Sequence, residues 1–164
     1  METFDCIANR ASVREYLTKP IEKSLLEKLV DAGRRAPTAR AVEPWEFVVI
    51  QQSETLTRLG QISSNGSFVK SAAACIAIFC KQTKYYLEDG CAATENILLL
   101  AADYGLGGCW IAGDKKDYVD EVAKLLGAGQ DLKLISLISL GWPKEKAEQV
   151  KSRNLGDVLH WEKF

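Results

Sequence analysis

Pro37-Thr38-Ala39-Arg40-Ala41-Val42-Glu43-Pro44-Trp45-Glu46-Phe47-Val48-Val49-Ile50 sets a proline-bracketed loop directly against an apolar run. A residue that precedes proline avoids helical geometry, so any upstream helix must stop before Pro37. The Val- and Ile-rich stretch predicts a strand over 45–51, with 37–44 as a loop. Working upstream, Leu25, Leu26, Leu29, Val30 and Gly33 share one face at helical spacing. Ser24 and Glu27 match a capping box at the start of that helix, and residues 3–9 read as a short helix. Downstream, the pattern predicts a helix from Ser53 to about Ile62, then a polar, mobile loop over Ser63–Ser67. Ala72 to Cys80 is apolar throughout and reads as a strand buried on both faces.

The longest helix is expected from near Leu87 to Tyr104, with Gly105 at its C-terminal cap. Its segment Ile97-Leu98-Leu99-Leu100-Ala101-Ala102 is apolar nearly all round, as in a helix buried centrally or at a subunit interface. Gly107–Gly113 reads as a short strand or tight loop. Asp114 is a candidate cap for a helix whose core face is Val119, Val122, Leu125 and Leu126, closed by Gly127. A strand over 132–140 then leads into a reversal at Gly141-Trp142-Pro143. Residues 144–151 read as a solvated connector. The tail keeps Leu155, Val158, Leu159, Trp161 and Phe164, so it needs this domain or a partner subunit to pack against.

Bulk properties narrow the function. The 164 residues are 47% hydrophobic and 26% charged, and the formal net charge is −1. That fits one domain, residues 1–164, with a substantial core. It disfavours a broad nucleic-acid footprint. No apolar run reaches membrane-span length and no basic-then-apolar leader opens the chain, so a cytoplasmic protein with neither nucleic-acid nor membrane partner is expected. Cys6, Cys75, Cys80, Cys91 and Cys109 form no Cys-x-x-Cys pair. With His160 the single histidine, this spacing gives no metal site.

Two short basic clusters stand out in this slightly acidic chain. Arg10-Ala11-Ser12-Val13-Arg14 in extended backbone points Arg10, Ser12 and Arg14 the same way. Two guanidiniums flanking a hydroxyl make a phosphate clamp. Lys151-Ser152-Arg153 repeats the logic near the other end. Taken singly, either cluster is ordinary solvated surface; together they can converge on a doubly charged phosphate. Gly105-Leu106-Gly107-Gly108 follows a helix, not a strand, which rejects a Rossmann phosphate loop. There is no Gly-x-Ser-x-Gly elbow. Glu95 and Asn96 are polar positions on the long helix that can reach a ligand or pair across an interface. The four tryptophans read first as packing residues.

In order along the chain, five motifs resemble the flavin-dependent nitroreductase family. They are Asn9–Tyr16 followed by Pro20-Ile21; Ala36-Pro37-Thr38-Ala39 with Glu43–Val49; Gly105–Ile111; Ile138–Pro143; and Lys151-Ser152-Arg153. The resemblance implies an α+β fold: a three-layer α/β/α sandwich with a mixed, mainly antiparallel sheet, in an intertwined homodimer. It implies FMN as cofactor, with NADH or NADPH reducing the flavin by hydride transfer and the flavin then reducing a nitro-aromatic, quinone or similar acceptor. Dehalogenase or other flavin chemistry, or a flavin-binding redox protein, is the alternative on the same scaffold. By the same resemblance, Arg10, Ser12 and Arg153 hold the FMN phosphate with Lys151 assisting, and Ala11 stands where the family has a second arginine. Arg14 lies near the pyrimidine edge of the flavin. Pro37, Thr38 and Ala39 reach it from the other subunit, and Cys109, Trp110 and Ile111 pass beside its ring. No side chain is implied as a certain acid or base. Ala41 and Glu43 depart from the family's Asn and Gln.

Overall fold

The computed structural model describes residues 1–164. Five helices surround one sheet: α1 (Thr3–Asn9), α2 (Lys23–Gly33), α3 (Ser53–Ile62), α4 (Tyr86–Asp103) and α5 (Val119–Leu126). The strands are β1 (Trp45–Ile50), β2 (Ala74–Lys81), β3 (Gly107–Ala112) and β4 (Leu132–Gly141), in the order β1-β2-β4-β3. All three strand pairings are antiparallel. The one parallel pairing is an isolated bridge between Ser12 and Gly108.

The sheet is covered on both faces, which is why β2 is buried from Ala74 through Cys80. Ile76, Ile78, Ile138 and Leu140 pack with Leu26 and Leu29 of α2 and Ile97 of α4. On the other face Phe79, Leu134 and Leu137 pack with Leu56 and Leu59 of α3 and Val122 of α5. Each fully buried side chain of this size contributes about 2 kcal/mol of burial free energy. Ile78 pairs with Ser136 and Phe79 with Leu134, so Ile135 is an extra residue in β4. That bulge brings Ile135 against Gly90, where a Cβ would stand 2.6 Å from its Cγ1. Gly90 thus lets α4 lie close to the sheet. Gly105 (φ 75°) and Gly127 (φ 71°) are left-handed just past α4 and α5, as glycine allows at helix ends.

Of the two readings of 107–113, the strand holds: β3 pairs with β4 from Gly107 through Ala112. Other expectations are corrected. The cap of α2 is Glu22 with no side-chain bond, so the Ser24/Glu27 box does not form; α2 begins at Lys23 and Ser24 is already inside it. The cap of α5 is Tyr118, not Asp114, whose carboxylate instead accepts from the Tyr86 hydroxyl at 3.1 Å. Leu125 is exposed, turned away from the buried stripe that Val122 marks. Ser63–Ser67 folds onto the domain: Ser63 is buried, and a 3-10 turn over Ser67–Ser71 anchors Val69 in the core. Residues 144–151 are a largely exposed connector, as expected, tethered through Lys144 N–H to Glu15 O at 3.1 Å and the Gln149 side chain to Arg10 O at 2.9 Å. The tail finds no cover on its own chain: residues 151–164 are exposed throughout.

Candidate functional site

The N-terminal basic cluster is built by the sheet edge. After α1 the backbone turns extended at Arg10, and Val13 N–H donates to Gly108 O at 3.0 Å. This lays residues 12–13 beside β3 as the start of a fifth strand. Tyr16 locks the segment from behind. Its buried hydroxyl donates to Val13 O at 2.6 Å and accepts from the Ser139 hydroxyl at 2.7 Å. Burial pushes the Tyr16 phenol up, so it stays a neutral donor.

Arg10, Ser12 and Arg14 ride on this one extended segment, which the Val13 bond and the Ser12 bridge hold against Gly108, next to Cys109. Burial pushes the Cys109 thiol up, while the positive charge of Arg14 pulls it back. The donors are free to take an anion. Arg10 has one acidic neighbour, Glu95, at 3.7 Å, and Arg14 has no carboxylate within ion-pair distance. Arg14 instead stands 5.8 Å from the Phe68 ring, a packing that holds the guanidinium without neutralising it. Two guanidiniums and a hydroxyl with spare hydrogen-bonding capacity fit a doubly charged phosphate. Beside them, a cleft of about 250 Å³ is lined by residues including Arg10, Ala11, Gly107, Gly108 and Lys146.

The other expected residues are placed differently. Along β3, Ile111 packs on the α3/α5 side and Cys109 shares that face, in register with Ser139 and Cys75, whereas Trp110 packs toward α2 and α4. Lys151 and Arg153 lie in the exposed tail, and Arg153 donates to Asp157 O. The Gln149 tether to Arg10 O brings that tail past the N-terminal cluster. Pro37, Thr38 and Ala39 are not with the arginines at all. Asp89, in the first turns of α4, accepts from the Thr38 hydroxyl at 2.9 Å and from Ala39 N–H at 3.0 Å. That is the opposite side of the sheet from Cys109. Asn96, the other polar helix position, donates to Ala32 O at 3.0 Å and joins α4 to α2. His160 is exposed, its ring 4.6 Å from that of Phe164 and tilted 44° to it.

Asp89 and Gln149 escaped the sequence reading. Asp89 had a signal: it sits at four-residue spacing with Ala93 and Ile97, so it falls on the buried stripe of α4. A carboxylate there demands partners. Gln149 gave none, being one polar residue among many.

The model of the nitroreductase family matches residues 7–87 and 81–142. This chain belongs to the nitroreductase family. A relative from Archaeoglobus fulgidus, provisionally named as an NADH dehydrogenase/NAD(P)H nitroreductase, is 31% identical over 99% of each chain. The NADPH-flavin oxidoreductase of Vibrio harveyi is 27% identical over 92% of this chain and 69% of its own. Among solved structures, an FMN-dependent nitroreductase from Clostridium difficile superposes with a TM-score of 0.91 at 27% identity, covering 98% of this chain and 99% of that one. A Parabacteroides distasonis protein with the same provisional name as the Archaeoglobus relative reaches 0.95 at 28% identity, covering 100% and 99%. The nitroreductase fold thus accounts for α1 through β4, and no helix here is long and apolar enough to cross a membrane.

Proposed function

We propose that this nitroreductase-family chain is an FMN-dependent NAD(P)H oxidoreductase that works as a homodimer with its sites at the interface. The extended segment that carries Arg10, Ser12 and Arg14 along the edge of β3, with Arg14 free of any carboxylate, supports the reading. When bound there, FMN supplies the electron chemistry, taking hydride from NADH or NADPH and passing electrons to an acceptor such as a nitro-aromatic or quinone. Arg10 and Ser12 bind the phosphate, and Lys151 and Arg153 close over it from the tail. Arg14 holds a permanent positive charge at the edge of the ring where negative charge collects, a role a titrating group fills less well. The backbone of Cys109, Trp110 and Ile111 passes beside the ring. No acid or base is required of the protein.

Two observations favour the dimer. Thr38 and Ala39 are anchored at Asp89, across the sheet from Cys109, so one chain does not bring both groups to one ligand. Further, Trp161 is 80% exposed and Leu155 73%, which leaves apolar surface that a second copy would cover.

The test is spectroscopic first. Purified protein mixed with FMN should retain the yellow chromophore through gel filtration at the dimer's elution volume. Arg10→Ala together with Arg153→Ala should lose it. Oxidation of NADH and NADPH should accelerate when a nitro-aromatic is added. Cofactor retained by the double variant at wild-type occupancy would refute the phosphate site.

A further inference from the structure

The loop Thr38–Glu43 has an unusual backbone. Arg40 (φ 59°), Ala41 (φ 55°) and Glu43 (φ 49°) are all left-handed, and none is glycine, asparagine or aspartate. Such residues carry strain unless their surroundings impose the conformation. The bonds inside the loop are long: Ala41 N–H to Thr38 O and Val42 N–H to Ala39 O both span 3.4 Å. The short bonds all run through its base. Glu43 N–H donates to the Thr38 hydroxyl at 3.1 Å, Thr38 donates to one Asp89 oxygen at 2.9 Å, and Ala39 N–H donates to the other at 3.0 Å.

Asp89 is only 4% exposed, and no lysine or arginine lies within ion-pair distance of it. A buried carboxylate without a cation is costly unless hydrogen bonds satisfy it. Its donors here come from the loop, so the anion and the loop depend on each other.

We infer that Asp89 is a positioning residue for the cofactor: through Thr38 and Ala39 it fixes the left-handed loop in the shape that meets the flavin of the partner subunit. This rests on the proposed function, which puts Pro37, Thr38 and Ala39 against that flavin. A loop already held in its bound shape binds without losing further chain entropy, so affinity follows the clamp. Asp89 itself touches no cofactor. Thr38 is the hub, since its hydroxyl both donates to Asp89 and accepts from Glu43. Asparagine at 89 keeps an acceptor for Ala39 N–H and offers an N–H to the Thr38 oxygen, so it should preserve the geometry. Alanine at 89 removes both acceptors.

The experiment compares the wild type with Asp89→Ala, Asp89→Asn, Thr38→Val and Thr38→Ser. Amide hydrogen exchange over residues 37–43 of the FMN-free protein is followed by mass spectrometry. FMN affinity is measured by fluorescence quenching, and circular dichroism of the bound flavin reports ring geometry. Asp89→Ala and Thr38→Val should speed loop exchange, alter the flavin dichroism and weaken FMN about tenfold or more. Asp89→Asn and Thr38→Ser should stay within about threefold of wild type. Should Asp89→Ala fail to fold, the Thr38 pair decides, because that side chain is only half-buried in a loop. Wild-type affinity and exchange in Thr38→Val, or equal loss in Thr38→Ser, overturns the inference. A wild-type protein that does not bind FMN overturns the proposed function instead, and loop exchange still reports whether Asp89 clamps the loop.

Discussion

Replacing Gly107 by alanine puts a methyl group where Val13 crosses β3. A Cβ built there stands 2.6 Å from Val13 Cβ and 2.7 and 2.8 Å from its two γ-carbons, all inside contact distance. Gly107 is not left-handed, so alanine is conformationally allowed and the effect is steric alone. Relief requires the 12–14 segment to lift away, breaking the Val13 N–H to Gly108 O bond of 3.0 Å and the Ser12 bridge. Overpacking costs about 1–3 kcal/mol and the lost hydrogen bond about 1 kcal/mol, together about 2–4 kcal/mol. For a chain of this size that lowers the melting temperature by roughly 5–15 °C. Because Arg10, Ser12 and Arg14 ride on the same segment, FMN affinity should fall at least about tenfold. The three nearest atoms all belong to the Val13 side chain, so Val13→Gly in the Gly107→Ala background should restore cofactor binding and recover most of the lost stability. Calorimetry of the FMN-free protein and an FMN titration measure both arms. A Gly107→Ala protein that melts and binds like the wild type, or a double variant no better than the single, refutes the packing argument.

Tyr16→Phe leaves Val13 O and the Ser139 hydroxyl short of a partner and should cost about 1–3 kcal/mol, read from the urea midpoint; an unchanged midpoint removes Tyr16 as the lock behind the clamp. Gln149→Ala should weaken FMN a few-fold with the melting temperature nearly unchanged, because it frees the tail carrying Lys151 and Arg153 without touching the core; an unaltered affinity detaches that tail from the phosphate. Alkaline stability has a defined sign. Burial pushes the Cys75 thiol from 9.0 up to about 12, so the folded state keeps its proton where the unfolded chain loses it. This contribution is complete below pH 9 and falls by about 1.4 kcal/mol per pH unit as pH rises toward 12. Tyr16 acts in the same direction from pH 10 upward. Cys75→Ala should flatten the decline in urea midpoints between pH 9 and 11, and an identical slope would contradict it.

Periodicity and proline placement located α2, β1, β2, α4 and β4 because each owes its existence to a local pattern that packing then uses. β3 was ambiguous in sequence because two glycines open it; its strand character comes from pairing with β4, a non-local fact. The basic cluster was legible because extended backbone alternates whatever the tertiary context. Once 107–112 is known to be a strand, the same alternation sends Trp110 and Cys109, adjacent in the motif, to opposite faces of the sheet. Asp89 was visible only as a polar residue on an apolar stripe, and its partners lie fifty residues away in the proline loop. Leu125 was misjudged because a helix of eight residues buries a narrow stripe, and neighbouring leucines do not share it.

The strand order has a consequence for synthesis. β4 is the last strand in the chain yet sits between β2 and β3. Until it leaves the ribosome, β3 has only the short bridge to residues 12–13 beside it and one margin of β2 is open. A nascent chain short of Gly141 therefore displays unpaired apolar strands, and closure of the sheet waits until β4 has been made. Truncated products ending before residue 132 should depend on chaperones for solubility, whereas chains released after Pro143 already hold a closed sheet.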